Sequence, residues 1–329
     1  MLNFCTLFDS NYLPQGLAMY ESLEKHCKSF HLFIFAFDDK CYEILNKLSL
    51  ENVTLISLAE FEDEKLLEVK PTRTKCEYCW TCTPSTVLYC LKNFNLDHCT
   101  YIDADIYFYS DPQVLIDEME DKSILLTEHR FPPESDTEQF AGKYNVQFIM
   151  FKNNSEGLEA LTWWRDRCIE WCFFRVEDGK CGDQKYLDDW TIRFNGIHEL
   201  QHLGSGLGSW NIMQYDIYKK NNSIYGIEKK SQKYFDAVFY HFHDVKFDQN
   251  KKLNVDYLFL TKKIRLEILH KPYLNHIKKI SIDLKKIDNS LKIYNTPMSN
   301  LWYVKRFLNK LTKIPKKLSI KFMLLKKSS

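Results

Sequence analysis

Two carboxylates stand one residue apart in Tyr101-Ile102-Asp103-Ala104-Asp105-Ile106-Tyr107-Phe108-Tyr109-Ser110-Asp111-Pro112, inside what otherwise reads as a buried β-strand. Burying an unpaired carboxylate costs several kcal/mol, so a core strand normally rejects such residues. The cost is lifted where the strand end opens on a cleft and meets a divalent cation. Residues i and i+2 of a strand point to one face, so Asp103 and Asp105 can aim at one Mn²⁺ or Mg²⁺ ion and leave positions open for phosphate oxygens. The plainer alternative is a turn with two solvated aspartates. The flanks, apolar before and aromatic after with Asp-Pro following, favour the ion.

The hydrophobic pattern around this segment alternates strands and helices. Asn3–Phe8, His31–Ala36, Val53–Leu58 and Cys99–Ile102 read as strands. Helices are expected over about 14–26, 41–48 and 84–93, the last opened by Thr83-Pro84 with proline in its first turn. That rhythm argues for an α/β fold with a mostly parallel sheet flanked by helices. Ligands bind beyond the carboxyl ends of such strands. Asp9, Asp38 and Asp103 all fall there and should share one rim. Further along, Ser123–Thr127, Val146–Phe151 and Ala237–Phe242 read as strands. Gly157–Phe174 reads as a long helix and Gly182–Trp190 as a short one. Glu128–Lys143 reads as a loop, and Leu203–Gly208 as a flexible, glycine-rich one.

No run is apolar and long enough to span a bilayer, and the start MLNFCTLFDS reads as a first strand rather than a signal peptide. The 11 cysteines are scattered and odd in number, which suits reduced thiols and a cytoplasmic setting. Cys76, Cys79 and Cys82 have metal-like spacing but lack a well-spaced fourth ligand, so helix packing is the expected role. The near-neutral whole conceals an asymmetry. Residues 251–329 hold 20 Lys+Arg against 4 Asp+Glu, whereas 1–250 is strongly acidic. The expected organisation is a catalytic domain over 1–250 and a basic C-terminal extension over 251–329, with Leu301–Leu311 as an amphipathic helix suited to an anionic membrane surface.

Four further groups could do chemistry. His241 or His243 could supply an imidazole to the ion, or either could simply be packed and hydrogen-bonded. Asp183 could be a helix cap or line a sugar pocket together with Gln184. Arg73 could pair with a phosphate or be a solvated surface cation.

Taken together, Thr6–Tyr12, Tyr101–Asp105, Tyr144–Phe148, Gly182–Gln184 and His241–His243 resemble the GT-A-fold nucleotide-sugar glycosyltransferases, in particular the family-8-like bacterial enzymes of cell-surface glycan synthesis. The resemblance covers about residues 3–247. It implies a Rossmann-like GT-A domain and a sugar transfer from a nucleoside diphosphate donor, a UDP-sugar foremost, to a glycan or lipid-linked hydroxyl, with retention of configuration slightly favoured over inversion. Asp188 or Asp189, like Asp183, could instead serve an inverting attack as base. By position, Thr6, Asp9, Asn11, Tyr12, Arg73, Asp103, Asn145 and Gln147 would bind the donor. Asp103, Asp105 and His241 would bind the metal, with His243 as second choice. Asp183 and Gln184 would act at the sugar. Asp244 stands where that element usually has glycine. With the basic extension, the expected setting is cytoplasmic and peripheral on the inner face of the cytoplasmic membrane.

Two rivals share parts of this pattern. A sugar-1-phosphate nucleotidyltransferase should carry a glycine-rich phosphate loop after its first strand, but this chain has Asp9-Ser10-Asn11-Tyr12. The other is a non-catalytic glycan- or membrane-binding protein. Nucleic acid is not expected as a partner, since no reading motif accompanies the basic charge.

Overall fold

The computed structural model describes residues 1–221, 223–243, 245–247, 253–255 and 265–291. A seven-stranded sheet forms the centre. It contains β1 (Leu2–Phe8), β2 (Phe30–Ala36), β3 (Val53–Ser57), β4 (His98–Ile102), β6 (Ile124–Glu128), β7 (Tyr144–Lys152) and β8 (Ile197–Glu199) in the order β3-β2-β1-β4-β7-β6-β8. Every strand but β7 runs the same way, because β7 pairs antiparallel with both β4 and β6. This is the expected α/β architecture, mostly parallel and flanked by helices. All seven residues of β1 are buried, as parallel strands covered on both faces require.

The alternation of side chains explains the two layers. Cys5 and Leu7 of β1, Cys99 and Tyr101 of β4, and Ile149 and Phe151 of β7 face the helices Lys75–Asn93 and Ser155–Glu170, which contribute Val87, Leu91, Leu161 and Trp164. The opposite face carries Phe4 and Phe148, whose rings meet at 6.3 Å. That face is covered by a second sheet made of β5 (Ile106–Phe108), β9 (Leu207–Gly208) and β13 (Phe239–His241) in the order β5-β13-β9. Phe108 lies 6.5 Å from Phe4, and Phe239 stacks on Phe148 at 5.4 Å. Each fully buried phenylalanine contributes about 2 kcal/mol, so these rings fix the small sheet against the large one. A three-stranded meander, β10 (Tyr215–Lys220), β11 (Ser223–Glu228) and β12 (Tyr234–Asp236), was not evident in the sequence.

Several expectations need correcting. The helix placed at Thr83-Pro84 begins at Lys75. Thr74 and Glu77 form a reciprocal capping box two turns upstream, and Pro84 is carried inside the helix. The long helix expected to reach Phe174 ends at Glu170. Glu128–Lys143 is not all loop, since it contains the end of β6 and a short helix, Glu138–Ala141. Gly204–Ser209 is buried rather than a free flexible loop. A side chain on Gly204 would lie 1.8 Å from the Asp236 carbonyl oxygen, so glycine is what allows that approach.

The chain divides into two compact units, residues 1–245 with 255–293, and 246–254 with 294–329. Within the first, an amphipathic helix, Lys271–Ile287, buries Tyr273, Ile277, Ile280 and Leu284. Tyr273 stacks on Phe242 at 3.8 Å, and His276 bridges the Tyr107 hydroxyl and Glu21. The short strands Val245–Phe247 and Leu253–Val255 pair with each other. The expected amphipathic helix at Leu301–Leu311 lies outside the described residues, as does Asp244. Among the described residues no helix is long and apolar enough to cross a membrane.

Candidate active site

Asp9, Asp38 and Asp103 directly follow β1, β2 and β4 or lie within two residues of their ends, and those strands are neighbours running in parallel. The three acids therefore share one rim. Asp103 and Asp105 are not in a strand, however. They occupy a turn between β4 and β5, closed by the Ile106 amide donating to the Asp103 carbonyl at 3.3 Å. Their convergence comes from the small sheet. β13 pairs antiparallel with β5 so that His241 sits opposite Ile106, and the Phe242 amide donates to the Asp105 carbonyl at 2.9 Å. His241 is thereby placed beside both acids: its Nε2 lies 2.9 Å from Asp105 Oδ1 and 3.7 Å from Asp103 Oδ2.

The other face of the imidazole is also held. His241 Nδ1 meets the Gln147 Oε1 at 2.9 Å. An amide oxygen can only accept, so Nδ1 carries a proton; Nε2 donates to Asp105 in the ion's absence, and a metal bound there would take the place of that second proton. Gln147 is fully buried, and its backbone amide donates to Asn145 Oδ1. Asn145 Nδ2 in turn meets His129 Nε2 at 3.0 Å. Burial pushes His129 down to about 3, so it stays neutral. Trp210 donates its indole N–H to the His129 carbonyl and sets its ring perpendicular to His241 at 5.5 Å. Its ring also lies 5.0 Å from His243, which is exposed, while His241 is buried.

The ligand atoms of Asp103, Asp105 and His241 all lie within 4.8 Å of one another. Burial raises Asp103 to about 6, a shift His241 opposes and the neighbouring Asp105 charge reinforces. Burial works against Asp105 as well, but His241 outweighs it and holds that carboxyl below its usual range. Two carboxylates and one imidazole, which a metal would hold neutral, form a donor set suited to a divalent cation such as Mn²⁺ or Mg²⁺. The cation would remove the repulsion that raises Asp103.

Asp183 is 3% exposed, and one of its carboxylate oxygens has no hydrogen-bond partner among the described residues. Burial and the Asp103 charge raise it to about 7. It is presented from a left-handed Gly182, against which the Trp80 ring packs. The next residue, Gln184, donates its side-chain N–H to the Ala141 carbonyl at 2.6 Å. Asp188 is tied to the Lys143 amide and to Lys185, and Asp189 pairs with Arg193. Of these three aspartates, Asp183 is the one electrostatically linked to Asp103.

Along the rim, Asp9 accepts from the Asn11 and Tyr12 amides and pairs with Lys75 at 2.5 Å. Lys75 also reaches Asp38 at 3.4 Å, while Asp38 accepts from Ser10 and caps the following helix at Cys41. Tyr12 is half-buried, and its hydroxyl is raised by burial, then by the charges of Asp105, Cys76 and Asp9. Its amide is held by Asp9, which seats it at the rim.

Three residues expected at the donor have these places in the fold. Thr6 is fully buried within β1, since its side chain alternates inward. Arg73 donates to the Ile169 carbonyl, with its guanidinium 3.9 Å over the Phe173 ring, which holds it at the end of the Ser155–Glu170 helix. Gln147 spends its side-chain oxygen on His241. Lys75 is the cation at the rim. The Thr-x-x-Glu box of Thr74 and Glu77 was the available signal, because it places Lys75 at the first position of a helix.

No family model matches the chain. It is 30% identical over 282 residues to the Bacillus subtilis (strain 168) protein YfnD, covering 84% of this chain and 89% of that one. It is 34% identical over 247 residues to YfnF of the same organism, covering 73% and 80%. Among solved structures, the apo-form glycosyltransferase GlyE of Streptococcus pneumoniae TIGR4 is similar with a TM-score of 0.48 at 12% identity, over 86% of this chain and 64% of that one. The galactosyltransferase LgtC bound to donor and acceptor sugar analogs gives 0.47 at 11% identity, over 84% and 96%. Mouse xyloside xylosyltransferase 1 gives 0.44 at 11% identity, over 73% and 97%. By its identity to YfnD and YfnF over most of their lengths, the chain belongs to the family of those two proteins.

Proposed function

We propose that the protein is a metal-dependent glycosyltransferase that moves a sugar from a nucleoside diphosphate donor, first among them a UDP-sugar, to a hydroxyl of a glycan or glycolipid. The observation that carries this reading is the convergence of Asp103, Asp105 and His241 at the carboxyl rim of the sheet, with Gln147 behind the histidine. A divalent ion held there would supply Lewis-acid neutralisation of the leaving diphosphate. The chain's own groups do the rest. Tyr12 offers a ring for the base between Asp9 and Asp105, and Lys75 offers a cation that can exchange its aspartate partners for phosphate oxygens. Asp183, near half-protonated at neutral pH, can accept from or donate to a sugar hydroxyl close to the metal acids. Gln184, anchored at Ala141, would position the reacting carbon. The rate gain comes from placement and fixed electrostatics rather than covalent chemistry. In the same reading, the Lys-rich residues after 291 bring the enzyme to an anionic inner membrane face carrying a lipid-linked acceptor.

The test is a donor-hydrolysis and binding screen over UDP-, GDP-, dTDP- and CMP-sugars, with Mn²⁺ or with chelator. One donor should be bound and slowly hydrolysed only with the ion, and Asp105→Asn should abolish both. Release of pyrophosphate instead of a nucleoside diphosphate would transfer the assignment to nucleotidyl transfer. The anomer seen by NMR in the first product decides between retention and inversion.

A further inference from the structure

Cys76 and Cys79 occupy the first two turns of a 19-residue helix, at its second and fifth positions. Three residues apart, they are neighbours along one side of the helix. The first four amides of a helix lack intrahelical acceptors, and their partial positive charge favours a thiolate at Cys76, whereas burial keeps the Cys79 thiol protonated until it is called on. Thr74 caps only the Glu77 amide. Burial is graded along the helix. Cys76 is exposed, Cys79 half-buried and Cys82 buried, and of the remaining eight cysteines only Cys181 is not fully buried. An accessible thiol one turn ahead of a sheltered one is the arrangement that thiol–disulfide exchange requires.

We propose that Cys76 and Cys79 form a redox-active dithiol at the rim of the acid cluster, converted to an intrahelical disulfide by a low-molecular-weight disulfide. The Cys76 thiolate attacks one sulfur of the small disulfide RSSR. A Cys76–SR bond forms, the S–S bond breaks and RS⁻ leaves. Cys79 gives its proton to solvent and attacks the Cys76 sulfur, and the second RS⁻ leaves. The two cysteines are oxidised by two electrons, and RSSR is reduced to two thiols.

The location gives this chemistry a consequence. Asp9 pairs with Lys75 and accepts from the Tyr12 amide, so the helix start that carries the thiols adjoins the segment that presents the ring offered to the donor base. Lys75, adjacent in sequence, holds Asp9 and Asp38. Neighbouring side chains on a helix have Cβ atoms about 5–6 Å apart, while a disulfide needs about 3.5–4.5 Å. Closing the bridge must distort the turn that carries Lys75. This consequence rests on the donor reading above, while the thiol chemistry does not.

The experiment exposes the reduced full-length protein to hydroxyethyl disulfide, blocks remaining thiols and maps peptides by mass spectrometry. The wild type should lose two hydrogen masses on the peptide bearing Cys76 and Cys79. Cys79→Ser should instead retain one added RS group on Cys76, and Cys76→Ser should give neither product. Accumulation of the mixed adduct in wild type, first reaction at Cys181, or no reaction at Cys76 would overturn the proposal. Mn²⁺–UDP affinity, measured on the reduced and oxidised forms, should fall roughly tenfold on oxidation, the cost of about one charge-assisted hydrogen bond. Equal affinity in both forms would overturn the coupling. Absence of UDP binding in both, with the disulfide formed, would count against the donor reading alone.

Discussion

Gln147→Met removes the side-chain oxygen that accepts from His241 Nδ1–H while keeping a similar shape in a fully buried site. The lost hydrogen bond is worth about 1 kcal/mol, and the orphaned buried N–H costs about 1–3 kcal/mol. The ring can escape that cost by moving its proton to Nε2, which places an N–H where a lone pair must face the ion. Either way the metal-competent histidine is disfavoured by roughly 1.5–3 kcal/mol, a tenfold to hundredfold loss of Mn²⁺ affinity. Calorimetric titration of Mn²⁺ into wild type, Gln147→Met and His241→Ala measures it. The chelated forms are compared first by thermal melting to show that the variants remain folded. If Gln147→Met binds Mn²⁺ as wild type does while His241→Ala does not, then Gln147 does not set the histidine for the ion.

Three other outcomes can be checked directly. Asp183→Asn should retain Mn²⁺ affinity within about threefold but lose at least about a hundredfold in transfer rate, separating the sugar role from metal binding in one kinetic and one titration experiment. His129 is held neutral at about 3 when folded, against 6.5 in the open chain. The unfolded state therefore binds the extra proton, and stability present above pH 6.5 is lost as pH falls toward 3. By pH 5 the loss is about 2 kcal/mol, and urea melts of His129→Gln should show a correspondingly flatter slope between pH 6.5 and 5. Gly204→Ala should cost at least about 2 kcal/mol in urea unfolding, because its new Cβ would collide with the Asp236 carbonyl and displace Val238, whose amide donates to the Gly204 carbonyl just before β13.

Local chemistry was legible wherever it is written in consecutive residues. The apolar runs of β1, β2 and β4 and the acids that follow them announced a parallel sheet with one acidic rim, because strand direction and carboxyl-end position follow from pattern alone. The proline at 84 misled, because helix-start preference was read there while the stronger capping box at Thr74 and Glu77 lay two turns earlier. The meander over 215–236 went unseen because its strands are short and its alternately buried positions, Tyr215, Ile217, Ile224, Gly226 and Phe235, are interleaved with tyrosines and charged residues that blur the period.

The sequence by itself offered Asp103, Asp105 and a histidine late in the chain, His241 or His243, as an expected ion site. It could not determine how they meet, since the pair lies in a turn and needs more than strand alternation to converge. That was decided by β13 pairing against β5, which sets His241 opposite Ile106, and by Gln147 on β7 reaching the ring from behind. It was also tertiary packing that withdrew Arg73 to the Ile169 carbonyl and brought Lys75 to Asp9 and Asp38. Contacts between residues far apart in the chain depend on which sheets stack and in what register, and that is set by the whole core rather than by any one segment.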